Sequence, residues 1–190
     1  SNRQDPKDWA RRILARQVAG ERPSSISVRF AREALGMPAN ATPPPAAAGN
    51  ADADPKFAHS LHIDAHGLLP DTWYYYRFKV GEWTSKTGRT RTLPAADSSP
   101  QRLRFASVCC QSYVDGYYTA YPHMTAEDLD LVVFLGDYIY ENAATGPVRS
   151  HVNPEPTTLD EYRVRYGLYK GDANLQAAHQ NFPWVMIWDD

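Results

Sequence analysis

Leu131-Val132-Val133-Phe134-Leu135-Gly136-Asp137-Tyr138-Ile139-Tyr140 is a run of apolar residues that stops abruptly at a Gly-Asp pair. A short apolar run closed by a turn signal has the pattern of a buried parallel strand. Two other stretches repeat it. Leu103-Arg104-Phe105-Ala106-Ser107-Val108 stops at Cys109-Cys110, and Trp184-Val185-Met186-Ile187-Trp188 stops at Asp189-Asp190. Open α/β sheets bind ligands just beyond the carboxyl ends of such strands. The three stops therefore predict a thiol, carboxylates and a phenol gathered along one sheet edge.

The segments between these runs read as crossovers. Tyr117 to Leu129 predicts helical turns. Thr158-Leu159-Asp160-Glu161 is a capping box, and it opens a helix that carries Tyr162, Tyr166 and Tyr169 at helical spacing. That tyrosine stripe reads as packing rather than chemistry. Asp172 starts a further helix running to Asn181. Strand, helix and strand in this order make right-handed βαβ units. Asn142 to Pro156 has no periodicity and reads as a surface loop beside the ligand-facing edge.

Toward the N-terminus the texture changes. Leu93 to Gln101, rich in Pro and Ser, is a linker. Thr72 to Val80 is a strand dense in β-formers, and Thr84 to Thr92 is another, interrupted at Gly88. Ala58 to Ala65 alternates polar and apolar residues, which predicts a third, half-buried strand. Leu68-x-Pro70-x-Thr72-x-Tyr74 looks like the tyrosine corner of fibronectin type III sandwiches, with Tyr74 bonded back to the preceding turn. Met37 to Asp54 is Pro- and Ala-rich loop, and short helical patterns precede it at Asp8 to Val18 and Ser27 to Gly36. The expected organisation is an irregular or helical segment over 1–54, a partial antiparallel domain over 55–97, and an α/β domain over 102–190.

Composition narrows the function classes. The net charge of −2 over 190 residues gives no reason to expect a nucleic-acid or anionic-membrane partner. No apolar stretch approaches the length of a membrane span, and no signal-peptide pattern opens the chain, so any export signal is expected to be absent or removed. The two Cys are adjacent, which leaves no disulfide framework to read. Taken singly, a Cys at the end of a strand is a small hydrophobe, and Asp after Gly is an ordinary helix cap. His59, His62 and His66 lie close in sequence, but alternation does not bring them to one point.

Taken together, Cys110, Asp137, Tyr140 and Asp190 are the candidate metal ligands. A thiolate and a phenolate favour a trivalent, redox-capable ion, so iron(III) is the natural choice. A carboxylate can bridge two ions, and oxygen donors on the far side suit a hard ion such as calcium. Two cations a few ångströms apart can clamp a phosphate ester against both the attacking hydroxide and the leaving oxygen. That chemistry requires no side-chain nucleophile, so no catalytic residue is assigned beyond the ligands.

Phe105-Ala106-Ser107-Val108-Cys109-Cys110-Gln111, Asp115-Gly116-Tyr117-Tyr118-Thr119-Ala120-Tyr121, Phe134 to Glu141, and Phe182 to Asp190 together resemble the alkaline phosphatase D (PhoD) family. Ala58-His59-Ser60 and Tyr74 to Phe78 extend the likeness, which covers roughly residues 55–190. The resemblance implies a fibronectin-like N-terminal domain before a metallophosphatase α/β sheet. It also implies an exported or periplasmic enzyme that hydrolyses phosphomonoesters and phosphodiesters with a metal-bound hydroxide, using iron(III) and calcium. By position, Cys110 and Tyr140 match iron ligands, Asp137 matches the bridging carboxylate, and Asp190 matches a second-metal ligand. Asp189 is a weaker match.

Two departures set further expectations. The chain ends at Asp190, before the family's remaining ligands, so it reads as the front of an enzyme and is expected to be inactive by itself. Residues 1–50 do not resemble the family's opening strands, and their Arg, Ala and Pro bias is like that of a shifted reading frame. Two rival functions stand beside the phosphatase. One is a non-catalytic β-sandwich binding module joined to an α/β remnant. The other is a thiol-dependent hydrolase pairing Cys110 with His123, for which no orienting Asp or Asn is placed. Substrate, actual metals and oligomeric state stay open.

Overall fold

The computed structural model describes residues 10–12, 14, 47–143 and 145–188. Most of the opening helical pattern falls outside them, although Ala10, Arg11, Arg12 and Leu14 are helical. Asp189 and Asp190 also lie outside the described residues.

The second half carries a three-stranded parallel sheet. Its strands are β5 (Phe105–Val108), β6 (Leu131–Phe134) and β7 (Trp184–Met186), in the order β5-β6-β7. Phe105 pairs with Leu131 and Val108 with Phe134, while Val133 pairs with Val185. A short helix α1 (Ala120–Met124) lies between β5 and β6; α2 (Leu159–Lys170) and α3 (Ala173–Asn181) lie between β6 and β7. Both long helices start as their sequences predict. The Thr158 hydroxyl accepts from the Glu161 N–H and the Glu161 carboxylate accepts from the Thr158 N–H, closing the capping box. Asp172 accepts from the N–H groups of Asn174 and Leu175.

Helices cover one face of this sheet. Val132 and Phe134 point into it and are fully buried with Tyr169, Leu175 and Ala178. Phe134 meets the Tyr138 and Trp184 rings at centroid distances of 5.1 and 6.0 Å. The other face differs from the buried-strand expectation. Phe105, Leu135, Val185 and Ile187 are all more than half exposed. The runs are apolar on both sides, but among the described residues only one side is covered, which is unusual for parallel strands.

The first half holds two separate antiparallel pairs, β1 (Trp73–Tyr76) with β4 (Gly88–Arg91), and β2 (Lys79–Val80) with β3 (Trp83–Thr84). The single strand expected over 72–80 thus breaks at Arg77-Phe78. There the Phe78 N–H turns to the Ser85 hydroxyl at 2.9 Å. Gly88 begins β4 rather than interrupting a strand. It lies opposite Tyr76, whose ring would stand 2.5 Å from any Cβ at this position. The strand expected over 58–65 does not form. Ala58 and His59 adopt positive φ of 52° and 58° after a single 3-10 turn, Pro55–Phe57, and His59 and the segment after it are exposed. Alternation makes a strand only where a neighbour offers its ladder, and none of the named strands pairs with this stretch. Tyr74 does bond back to its turn, its hydroxyl accepting from the Leu69 N–H at 2.7 Å.

The halves are joined by arginines of β4. Arg89 donates to the Asn181 carbonyl at 2.6 Å and lies 4.5 Å over the Trp73 ring. Arg91 bridges Asp71 and Asp130.

Candidate functional site

The ladder between β5 and β6 continues past both strand ends and sets their loops side by side. The Leu135 N–H donates to the Val108 carbonyl, Cys110 donates to Gly136, and Gln111 donates to Asp137, at 2.8, 3.2 and 3.2 Å. The chain turns sharply at these points. Gly136 has φ of 120°, which glycine tolerates. Cys110 and Asp137 both have φ of 56°, a left-handed conformation that costs an ordinary L-residue about 1–2 kcal/mol. Two strained residues face one another at the ends of adjacent strands, and strain of this kind clusters at functional sites.

The turns bring three of the four sequence-predicted ligands together. The Tyr140 hydroxyl donates to Asp137 Oδ2 at 2.6 Å. Cys109, Tyr140 and Asp137 all act electrostatically on the Cys110 thiol, which lies near them. The phenol of Tyr140 is pushed up from its ordinary value, first by the hydrogen bond to the Asp137 carboxylate, then by burial and by Cys110. The Cys110 thiol is also raised, first by its hydrogen bond with Cys109; the Tyr140 contact acts in the opposite direction. Asp190, the fourth predicted ligand, lies outside the described residues.

A phenol bonded to a carboxylate, with a thiol beside them, matches the donor chemistry of a ferric ion. Among the described residues, no group of three His, Cys, Asp or Glu side chains is placed to hold a metal ion. A cation held here would need the Tyr140 phenolate besides the thiol and the carboxylate. An open pocket of 420 Å³ adjoins Tyr140, with Ser112, Asp115, Asn142 and Thr145 in its wall.

Residues behind this edge escape a sequence reading. The Gln111 side chain donates to the Tyr138 carbonyl at 2.9 Å and accepts from the Tyr121 hydroxyl at 2.6 Å. Arg149 pins the 142–156 loop. It pairs with Asp172 at 2.6 Å, donates to the Tyr113 carbonyl at 2.8 Å, and lies 3.8 Å over the Tyr113 ring. Tyr169 of the supposed packing stripe is fully buried, yet its hydroxyl bonds both Tyr140 and His151. Helical spacing alone carries no signal for such roles. The three clustered histidines, His59, His62 and His66, are exposed, as expected of surface residues.

A family model described as PhoD-like phosphatase matches residues 105–190, and one described as PhoD-like phosphatase, N-terminal domain, matches residues 9–94. The second match begins inside the Arg- and Ala-rich opening, which counts against a shifted reading frame there. The alkaline phosphatase D of Bacillus subtilis (strain 168) is 51% identical over 148 residues, covering 75% of this chain and 25% of that protein. A solved structure described as "Structure of PhoD" matches with a TM-score of 0.69 at 52% identity, covering 73% of this chain and 28% of that one. The chain thus spans about a quarter of the length of the relatives it matches.

Proposed function

The chain belongs to the PhoD-like phosphatase family, and from that premise we propose that it forms one part of a metal-dependent phosphodiesterase and alkaline phosphatase. In this reading Cys110, Asp137 and Tyr140 hold iron(III), Asp137 is shared with calcium, and Asp190 adds an oxygen donor to the second ion. Bound there, the ions supply positive charge against the attacking and leaving oxygens of a phosphate ester. The chain's own residues fix where that charge sits. The loop-to-loop hydrogen bonds after β5 and β6 set the thiol beside the carboxylate. The Tyr140 hydroxyl already points at Asp137. The observation that carries the reading is this convergence of three donors, two of them on strained backbone. Four donor residues shared between two ions fall short of the six to eight ligands that calcium takes and the six of an octahedral site. The 190-residue chain is therefore expected to bind metal without turning over substrate.

Ferric reconstitution tests the reading. Iron(III) added to the metal-free chain should give a visible phenolate-to-metal charge-transfer band, lost in Tyr140→Phe and weakened in Asp137→Asn. A colourless protein, or a band that survives Tyr140→Phe, would sink the assignment. Metal-dependent hydrolysis of a phosphodiester by the isolated chain would overturn the expected inactivity.

A further inference from the structure

Tyr140 is held by its backbone as well as by its ring. Its N–H donates to the Tyr169 hydroxyl at 3.1 Å, and its carbonyl accepts from Nη1 of Arg165. Both partners stand on α2 four residues apart, hence on one face of that helix. Both are fully buried.

The hydrogen bonds of Arg165 go to carbonyl oxygens rather than to a carboxylate. Besides Tyr140, Nη1 donates to the Asn142 carbonyl at 3.2 Å, and Nη2 donates to the carbonyls of Asn153 and Pro154 at 3.1 and 3.0 Å. Nε donates to Asn153 Oδ1 at 3.2 Å. A guanidinium buried without a carboxylate is costly unless fixed dipoles replace its hydration. Here the dipoles come from Tyr140 and from the two ends of the loop that follows it.

Tyr169 completes the same network. His151 Nδ1 faces the Asn142 carbonyl at 2.6 Å, and a carbonyl only accepts, so Nδ1 carries the proton. His151 Nε2 is then the acceptor for the Tyr169 hydroxyl at 3.1 Å. Donating its O–H to His151, the Tyr169 oxygen accepts from the Tyr140 N–H. Helix, loop and Tyr140 peptide thus share one set of bonds.

We infer that Arg165 and Tyr169 are positioning residues for Tyr140, fixing its peptide and thereby aiming its phenol at Asp137 and Cys110. The inference rests on Tyr140 being an iron ligand, and it adds the residues that orient that ligand. Partners of this kind change metal affinity by about 10–100-fold when removed.

Tyr169→Phe is the decisive variant, because it removes one oxygen and keeps the ring. In the metal-free chain, hydrogen exchange at the Tyr140 amide should accelerate on the order of fivefold while the β6 amides stay unchanged. In a ferric titration the same variant should weaken iron binding by about tenfold and shift the charge-transfer band. Arg165→Lys should act in the same direction and more strongly; where it fails to fold, Tyr169→Phe decides alone. Faster exchange with unchanged iron affinity would reduce the pair to a structural role and overturn the inference. Unchanged exchange would overturn it as well. A band lost in Tyr140→Phe yet unmoved in Tyr169→Phe sinks this inference alone, whereas a band that survives Tyr140→Phe sinks the ligand assignment beneath it.

Discussion

The antiparallel half and the α/β half hold themselves together by different means. Between Pro55 and Arg91, Tyr74 is the one buried hydrophobic side chain among the described residues. Its neighbourhood is stitched by polar bonds. The Thr92 hydroxyl donates to the Leu69 carbonyl at 2.6 Å and accepts from the Thr72 N–H at 2.9 Å, and Asp71 donates to the Leu93 carbonyl at 2.9 Å. From Gln111 onward, stability rests on burial, with Phe134, Tyr169, Leu175 and Ala178 fully enclosed. Each hydrogen bond contributes about 1 kcal/mol net. A large enclosed side chain contributes about 1.5–3 kcal/mol. The second half should therefore set the stability of the chain, and the first should follow through Arg89 and Arg91.

The sharpest way to break this contrast is Phe134→Ala. It should cost about 4 kcal/mol in chemical denaturation, and a loss under about 1 kcal/mol would show that burial does not dominate.

Acid tests the same half. Burial pulls His179 down from 6.5 to about 4, with Lys170 acting in the same direction. It stacks on Trp184 at 4.1 Å and faces the Tyr138 hydroxyl at 2.8 Å. Because the folded value lies below the unfolded one, the unfolded chain takes up the proton first. This contribution is full above pH 6.5 and is lost as pH falls toward about 4. A stability profile flat across that window would contradict the burial of His179. Glu161 acts in a lower window. Its carboxylate is held down from 4.5 to about 2, first by the Thr157 N–H, so the capping box loses stability only below pH 4.5.

Tyr74→Phe should have the smallest effect. It removes the acceptor for the Leu69 N–H and should cost about 1 kcal/mol. A loss equal to that of Phe134→Ala would mean that the polar corner, not the apolar core, governs the first half.

The features legible in the sequence were those encoded locally. Thr158 and Glu161 are three residues apart, and both halves of the capping box follow from that spacing. Tyr74 follows Leu68-x-Pro70 closely enough to announce its turn. The meeting of Cys110, Asp137 and Tyr140 was legible because each lies at or just beyond the end of a parallel strand, and parallel register aligns such ends. Elsewhere the structure depends on residues distant in the chain. The 58–65 alternation lacked a partner strand. Arg165 sits in Leu159–Lys170 among Asp160, Glu161, Arg163 and Lys170, where nothing local separates a buried cation from a solvated one. Tyr169 reads as packing because period alone cannot reveal where a hydroxyl finds its partners.

Among the described residues one face of the parallel sheet is uncovered, and this has a practical consequence at the bench. Phe105, Leu135, Val185 and Ile187 form a greasy platform on an otherwise ordered domain. A fluorescent dye that lights up on apolar surface should glow with the native chain. Such a signal, commonly taken as the mark of a molten state, would here accompany sharp near-ultraviolet dichroism from the buried Tyr121 and Phe134 rings and the half-buried Trp184 packed on them.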